Sequence, residues 1–322
     1  MSTEESAATI SRREAPRSLG ARLGTIGPGL VLAATTVGIG DFISNAVAGE
    51  RFGTTFVWAI ALAVVLKYYL TGTHNALIRF GGADYVELLG VYDPETALES
   101  GLNGRTLAEF VRERQGGLVG HCYATDDIEA EAERTRETGL EMVGPFEMRR
   151  ERPDGRALTW RLLVPEDIPW RRRWPFFIEW DAPDQERLAV EGVGDHPNGA
   201  RSVCGVSVAV RALEEAVRLY SILFDLEPTR RDEVTDLAAR RATFDVRGFA
   251  IDLLSPTGNG PVQEMLERDS EGPFEVKIAV EDLARSRLAL SGVGFTENAA
   301  QGELRPPTEA GHGARLVFAE QA

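Results

Sequence analysis

One unit repeats along residues 121–320, and this repetition constrains the fold more than any other feature of the chain. His121-Cys-Tyr-Ala-Thr-Asp-Asp-Ile128, Val206-Ser-Val-Ala-Val-Arg-Ala-Leu213 and Val276-Lys-Ile-Ala-Val-Glu-Asp-Leu283 align with one another. Each reads as a short alternating strand that ends in a polar pair and an apolar residue. A helical pattern follows each, at Glu129–Glu137, Glu214–Phe224 and Ala284–Leu290. Within the second of these, Val217, Tyr220, Ser221 and Phe224 share one face. Further strands follow at Thr159–Val164 and Phe176–Trp180, at Ala242–Val246 and Phe249–Leu254, and at Ala314–Glu320. The unit is therefore strand–helix–strand–strand–strand, with turn signals such as Pro153-Asp154-Gly155 between strands. A partial copy opens the series. His74–Phe80 and Asp84–Leu89 read as the last two strands of a unit whose first strand, helix and second strand would fall before Thr73.

Charge divides the chain in two. Residues 1–72 carry six basic and five acidic side chains, whereas the rest of the chain is strongly acidic within a total of -15. An acidic body with pI ≈ 4.9 argues against nucleic acid as a partner, because phosphates need a basic face. The two cysteines, Cys122 and Cys204, are too few for a disulfide framework or an all-cysteine zinc cage. Residues 1–22 read as a disordered basic tail. From Leu23 to Gly49 the only charge is Asp41, and from Phe52 to Leu70 the only charge is Lys67. Two such runs are long enough for an α-helical transmembrane hairpin over 23–71, at about 20 residues per span. Arg12, Arg13, Arg17 and Arg22 place the N-terminus on the cytoplasmic side, and two spans return the body to it.

The wording of this head resembles the first two helices of Nramp-type divalent-metal transporters. Gly27-Pro28-Gly29-Leu30, Gly38-Ile39-Gly40-Asp41-Phe42 and Leu62-Ala-Val-Val-Leu-Lys-Tyr-Tyr69 carry the likeness. The family's Asp-Pro-Gly-Asn motif is matched by Gly38-Ile39-Gly40-Asp41, without its leading aspartate. A transport path needs a bundle of repeats around a midplane site, which one hairpin does not supply. The head thus reads as a membrane anchor, a long signal peptide ending near Ala46-Val47-Ala48, or a fusion relic. The body is expected to be membrane-associated on the cytoplasmic side, or simply cytoplasmic if the head is a relic.

The βαβββ body resembles the vicinal-oxygen-chelate superfamily, and within it the glyoxalase-like proteins. Gly72-Thr-His-Asn75, Tyr85-Val-Glu-Leu-Leu89, Thr125-Asp-Asp-Ile128, Trp160-Arg-Leu-Leu163, Pro175-Phe-Phe-Ile-Glu-Trp-Asp181 and Gly248-Phe-Ala-Ile-Asp-Leu-Leu-Ser-Pro256 carry this resemblance. It implies an α+β fold of tandem modules forming two half-barrels, 72–184 with a truncated first module and 202–322, joined by a linker at 185–201. It also implies metal ligands on the first and last strands of paired units. In the first cup the matching positions hold Glu87, His121 and Glu179, a set suited to Mn, Fe, Ni or Zn acting as a Lewis acid. Each also has a plain structural reading: Glu87 at a solvent-facing edge, His121 hydrogen-bonded at a strand start, Glu179 paired with one of Arg171–Arg173. His74, Asn75 and Trp160 are the candidate ligand contacts. In the second cup the equivalents are Val206, Asp252, Val276 and a position near Val317, too few donors for a metal. The implied functions are a metal-assisted lyase, isomerase or dioxygenase on a small oxygenated molecule, a metal-free binding module, or an inactive fusion. The body could also form oligomers.

Overall fold

The computed structural model describes residues 73–151, 157–166, 170–190, 196–298 and 301–320. The tail 1–22, the hairpin 23–71 and the turn at 153–155 lie outside the described residues. Among the described residues no helix is long and apolar enough to cross a membrane.

The chain opens with an antiparallel pair, β1 (Thr73–Arg79) and β2 (Tyr85–Val91), which forms a sheet of its own. Two helices follow that the repeat did not announce, α1 (Pro94–Glu99) and α2 (Leu102–Arg114). Asp93 caps the first by accepting from the Thr96 amide at 3.2 Å. The next unit is β3 (Cys122–Ala124), α3 (Ile128–Glu137), β4 (Met142–Glu151), β5 (Ala157–Pro165) and β6 (Phe176–Trp180). Its four strands lie in the order β3-β6-β5-β4, with β3 parallel to β6. Asp127 caps α3 through the Ala130 amide, and Ile128 and Ala132 pack on Leu163 and Phe177. Part of the stretch read as a linker is a helix, α4 (Asp184–Val190).

The remaining two units build one eight-stranded curved sheet. The first comprises β7 (Ala200–Ala209), α5 (Leu213–Phe224), β8 (Arg230–Val234), β9 (Ala239–Val246) and β10 (Phe249–Pro256). After α6 (Pro261–Arg268) come β11 (Gly272–Val280), α7 (Leu283–Leu290), β12 (Thr296–Asn298), β13 (Glu303–Arg305) and β14 (Leu316–Glu320). In each unit the first strand runs parallel to the last, and β7 and β11 join the units antiparallel. Leu213, Ala216, Val217, Tyr220 and Leu223 recur at helical spacing and bury α5 on Val206, Val208, Phe244 and Ile251.

The β1–β2 pair does not leave an apolar face bare. Ile78 and Val86, opposite each other in register, pack with buried Phe80 against Ile278, Val280, Leu304 and Phe318 of the large sheet. Backbone ties hold it there: Gly81 N–H donates to the Arg201 carbonyl at 3.0 Å, and Val203 N–H donates to the Asp84 carboxylate at 2.5 Å. The second half of the chain thus covers the apolar face of this truncated unit. Among the described residues of that face, Leu88 is exposed.

Candidate functional site

The pleat of the large sheet separates two chemistries. Side chains alternate across a strand, so one face carries Val206, Val208, Phe244, Ile251, Ile278 and Phe318 against the helices. The other face carries Ser207, Arg241, Thr243, Asp252, Glu275, Lys277 and Glu303, all in matched register. Val206 and Val276, taken from sequence as inward positions, therefore lie on the helix-covered face, one residue out of step. Asp252 is on the polar face. Its carboxylate accepts from Thr243 Oγ1 at 2.5 Å and from Lys277 Nζ at 3.0 Å. Lys277 reaches across β7 at Gly205, its register partner, where an added Cβ would stand 2.7 Å from the Ala250 carbonyl. Only glycine fits that close approach. Arg241 grips Asp232 through two nitrogens at 2.8 and 2.7 Å.

At the β11 end of this face is a cavity of about 450 Å³. Glu275, Arg305, Arg315, Thr296, Thr308 and Phe295 line it. Glu275 is only 2% exposed. The Nε atoms of Arg305 and Arg315 each stand 3.6 Å from its Oε1, and neither Nε has a hydrogen-bond partner. Burial raises the Glu275 carboxyl above its ordinary range, against the opposing pull of Arg305 and Arg315. A buried carboxyl beside two guanidiniums can hold an anionic or carbonyl oxygen on the arginines and exchange a proton at Glu275. Strand alternation announces two of these residues: Glu275 and Lys277 interrupt an otherwise apolar strand at period two.

The first-cup candidates are placed apart. Glu87 is exposed and accepts from Asn75 Nδ2, so these two are joined to each other across β1 and β2. The His74 side chain lies outside the described residues. Glu179 faces Arg161 directly across β5 and β6 and pairs with it, not with Arg171–Arg173. Arg161 also reaches Glu129 on α3 at 3.0 Å, which puts Glu179 on the helix-covered face. Trp160 faces Trp180 and so lies on the opposite face of that sheet. His121 packs edge-on against Tyr123, with its Nε2 3.4 Å from the Tyr220 hydroxyl. That hydroxyl donates to the Arg173 carbonyl at 2.5 Å, so toward His121 it can only accept from Nε2; the other ring nitrogen, Nδ1, is buried without a hydrogen-bond partner. Among the described residues no three His, Cys, Asp or Glu side chains gather as a metal site. The metal implied by the family resemblance does not fit Glu87, His121 and Glu179 as they are held here.

Desolvation drives the His121 pKa down to about 4. The folded value lies below the ordinary 6.5, so the unfolded chain takes up the proton first. His121 thus contributes stability above pH 6.5 that is lost as pH falls from there toward 4. An NMR titration should show a neutral imidazole at pH 5.5. The acid-side slope of stability should flatten in His121→Gln.

Paired βαβββ units on a curved sheet with one polar face define an α+β fold. Residues 67–224 match the family model described as a glyoxalase-like domain. Among solved structures, a hypothetical protein from Staphylococcus aureus is 19% identical, with a TM-score of 0.53 over 78% of this chain and 87% of that one. A mutant of 4-hydroxymandelate synthase from Streptomyces coelicolor is 14% identical, with a TM-score of 0.54 over 78% of this chain and 82% of that one. At these identities the likeness is one of fold. No curated protein matches the sequence.

Proposed function

We propose that the C-terminal half-barrel is the working cup, and that it binds a small oxygenated anion without a metal. The observation that carries this reading is the cavity of about 450 Å³ that ends on Glu275 between Arg305 and Arg315. Guanidiniums suit carboxylate or enolate oxygens, and the raised carboxyl suits proton exchange with the bound molecule. An isomerase or lyase step on such a molecule is the corresponding enzyme reading. A binding module is the corresponding non-enzyme reading, and deuterium wash-in from solvent into the bound probe separates the two.

Pyruvate, lactate and malonate are suitable probes. At least one is expected to raise the melting temperature of the full chain saturably, because ligand binding to the folded state adds stability as RT ln(1 + [L]/Kd). Arg315→Gln should weaken that binding at least tenfold. Chelator should leave it unchanged. Absence of any shift from all three probes in the wild-type chain would sink the proposal.

We further propose that residues 23–70 anchor the chain to a membrane, with the acidic body on the cytoplasmic side. Two apolar runs with one charged residue each support this. Full-length chain should sediment with membranes and resist high salt, since apolar insertion is not screened. Release by salt alone would count against an inserted hairpin.

A further inference from the structure

The cavity at Glu275 contains its own counter-ion. Ser207, the register partner of Glu275 on β7, is neutral, so the charges that meet this carboxylate come from β11, β13 and the lead into β14. Lys277 and Glu303 act on it from nearby. Arg305 and Arg315 flank it, each with Nε 3.6 Å from the same oxygen, Oε1. The turn Thr308–Gly311 adds Glu309 to the lining, where it is exposed, and ends at His312. Both arginines are thus already engaged by a carboxylate of the chain itself.

Among the described residues the charges of this polar face balance. Arg241 is held by Asp232 at 2.7 Å, Lys277 by Asp252 at 3.0 Å and Arg305 by Glu303 at 2.7 Å. Arg315 and Glu275 remain to offset each other, and Glu275 also faces Arg305. An anion that settles on Arg305 and Arg315 therefore brings a negative charge in excess of this balance, beside a carboxylate that is only 2% exposed. Two carboxylates sharing one pair of guanidiniums repel, and a proton on one of them relieves the repulsion. Glu275 is the group placed to take it. Burial already favours its neutral form, and the opposing pull comes first from Arg305 and Arg315, the two groups that an entering anion would engage.

We propose that Glu275 is a built-in competitor that occupies Arg305 and Arg315 in the ligand's place, and that an anion displaces it with uptake of a proton from solvent. The carboxylate becomes a neutral carboxylic acid, and the arginines pass from it to the ligand. This rests on the reading of the cavity as an anion site and adds that pH controls its occupancy. Protonation and anion binding favour each other by linkage. Affinity therefore rises as pH falls, by up to about tenfold per pH unit while Glu275 is ionised without ligand and protonated with it.

The test is calorimetric titration of the full chain with pyruvate and with lactate, which remain anions from pH 6 to pH 8, in buffers of low and high ionisation heat. At least one should bind with a Kd that rises at least tenfold from pH 6 to pH 8. The dependence of the heat on buffer should report uptake of about one proton per bound anion. Glu275→Gln should bind at least tenfold more tightly than wild type at pH 8 and lose both dependences. Glu309→Gln should keep them, and so should His312→Asn, since asparagine tolerates the φ of 50° found there. The buffer measurement is made on the wild type, so the proposal is decided even if Glu275→Gln fails to fold. A Kd constant across this pH range with no proton taken up overturns the proposal and leaves the anion site standing. A pH dependence that survives in Glu275→Gln, or is lost in Glu309→Gln or His312→Asn, overturns it as well. Absence of binding by pyruvate and lactate at every pH also overturns it, and with malonate equally silent the anion site itself falls.

Discussion

Phe80→Ala is expected to destabilise the folded chain by about 3–5 kcal/mol, the range for truncating a buried aromatic ring. Phe80 is 2% exposed and belongs to the cluster formed by Ile278, Val280, Leu283, Leu290, Leu304 and Phe318. Its ring also stacks near His196 at 5.0 Å, whose Nε2 lies 2.7 Å from the Arg79 carbonyl. Removing the ring opens a cavity beneath β1 and β2 and loosens the joint between them and the large sheet. Leu88→Ala on the same face of that pair is the control, because Leu88 is exposed. It should change stability by less than about 0.5 kcal/mol. Urea unfolding monitored by tryptophan fluorescence measures both. A loss below about 1 kcal/mol for Phe80→Ala would mean that the β1–β2 pair is an appendage, and that the large sheet does not need its cover.

This joint bears on how fragments behave. Read from sequence, residues 202–322 hold two whole units and look self-sufficient. In the fold, Ile78, Phe80 and Val86 shield part of that half's apolar surface. Cutting the chain near residue 200 uncovers Ile278 and Phe318, at about 25 cal/mol for each Å² of apolar surface. The isolated C-terminal half should therefore melt below the full chain.

The sequence made the order of elements legible because strand alternation and helical spacing are local properties. Val217, Tyr220 and Phe224 reach the core as their spacing predicts. Partnership is not local. Nothing within His74–Leu89 says that its apolar face will meet β11 and β14, more than 180 residues later. The site residues fared unevenly for the same reason. Glu179 and Trp160 were both taken as cup-facing, but Arg161 opposes Glu179 and Trp180 opposes Trp160, so one pleat sends them to opposite faces. The pleat likewise moves Val206 and Val276 out of the second cup and brings Ser207, Glu275 and Lys277 into it. The helix α2 carried a readable signal in Leu107, Ala108 and Val111, spaced along one face, with Leu107, Ala108 and Phe110 buried.

Lys277→Met is expected to cost about 3–5 kcal/mol at neutral pH, because it strands buried carboxylates rather than merely deleting a contact. Lys277 Nζ stands 3.0 Å from Asp252 Oδ2 and 3.6 Å from Glu303 Oε1, and both acids are almost fully buried. Thr243 and Arg241 still attend Asp252, and Arg305 still attends Glu303, so the chain should remain folded but weakened. Lys277→Met combined with Asp252→Leu should recover a large part of the loss, since apolar groups of similar volume can replace a buried pair at little penalty. The pH dependence follows from the direction of the Lys277 shift. Burial works to lower its pKa, but Asp252 and Glu303 outweigh burial and hold it above 10.5. A folded value above the unfolded one gives stability that is fully present below the unfolded pKa and lost as pH rises through the folded one. The gap between wild type and Lys277→Met should therefore stay flat through neutral pH and close only above about pH 10. Chemical denaturation at pH 6, 7.5 and 10.5 measures this. If the double variant is as unstable as the sum of its two single losses, Lys277 and Asp252 act separately, and the polar face of the cup is not the coupled network described by its distances.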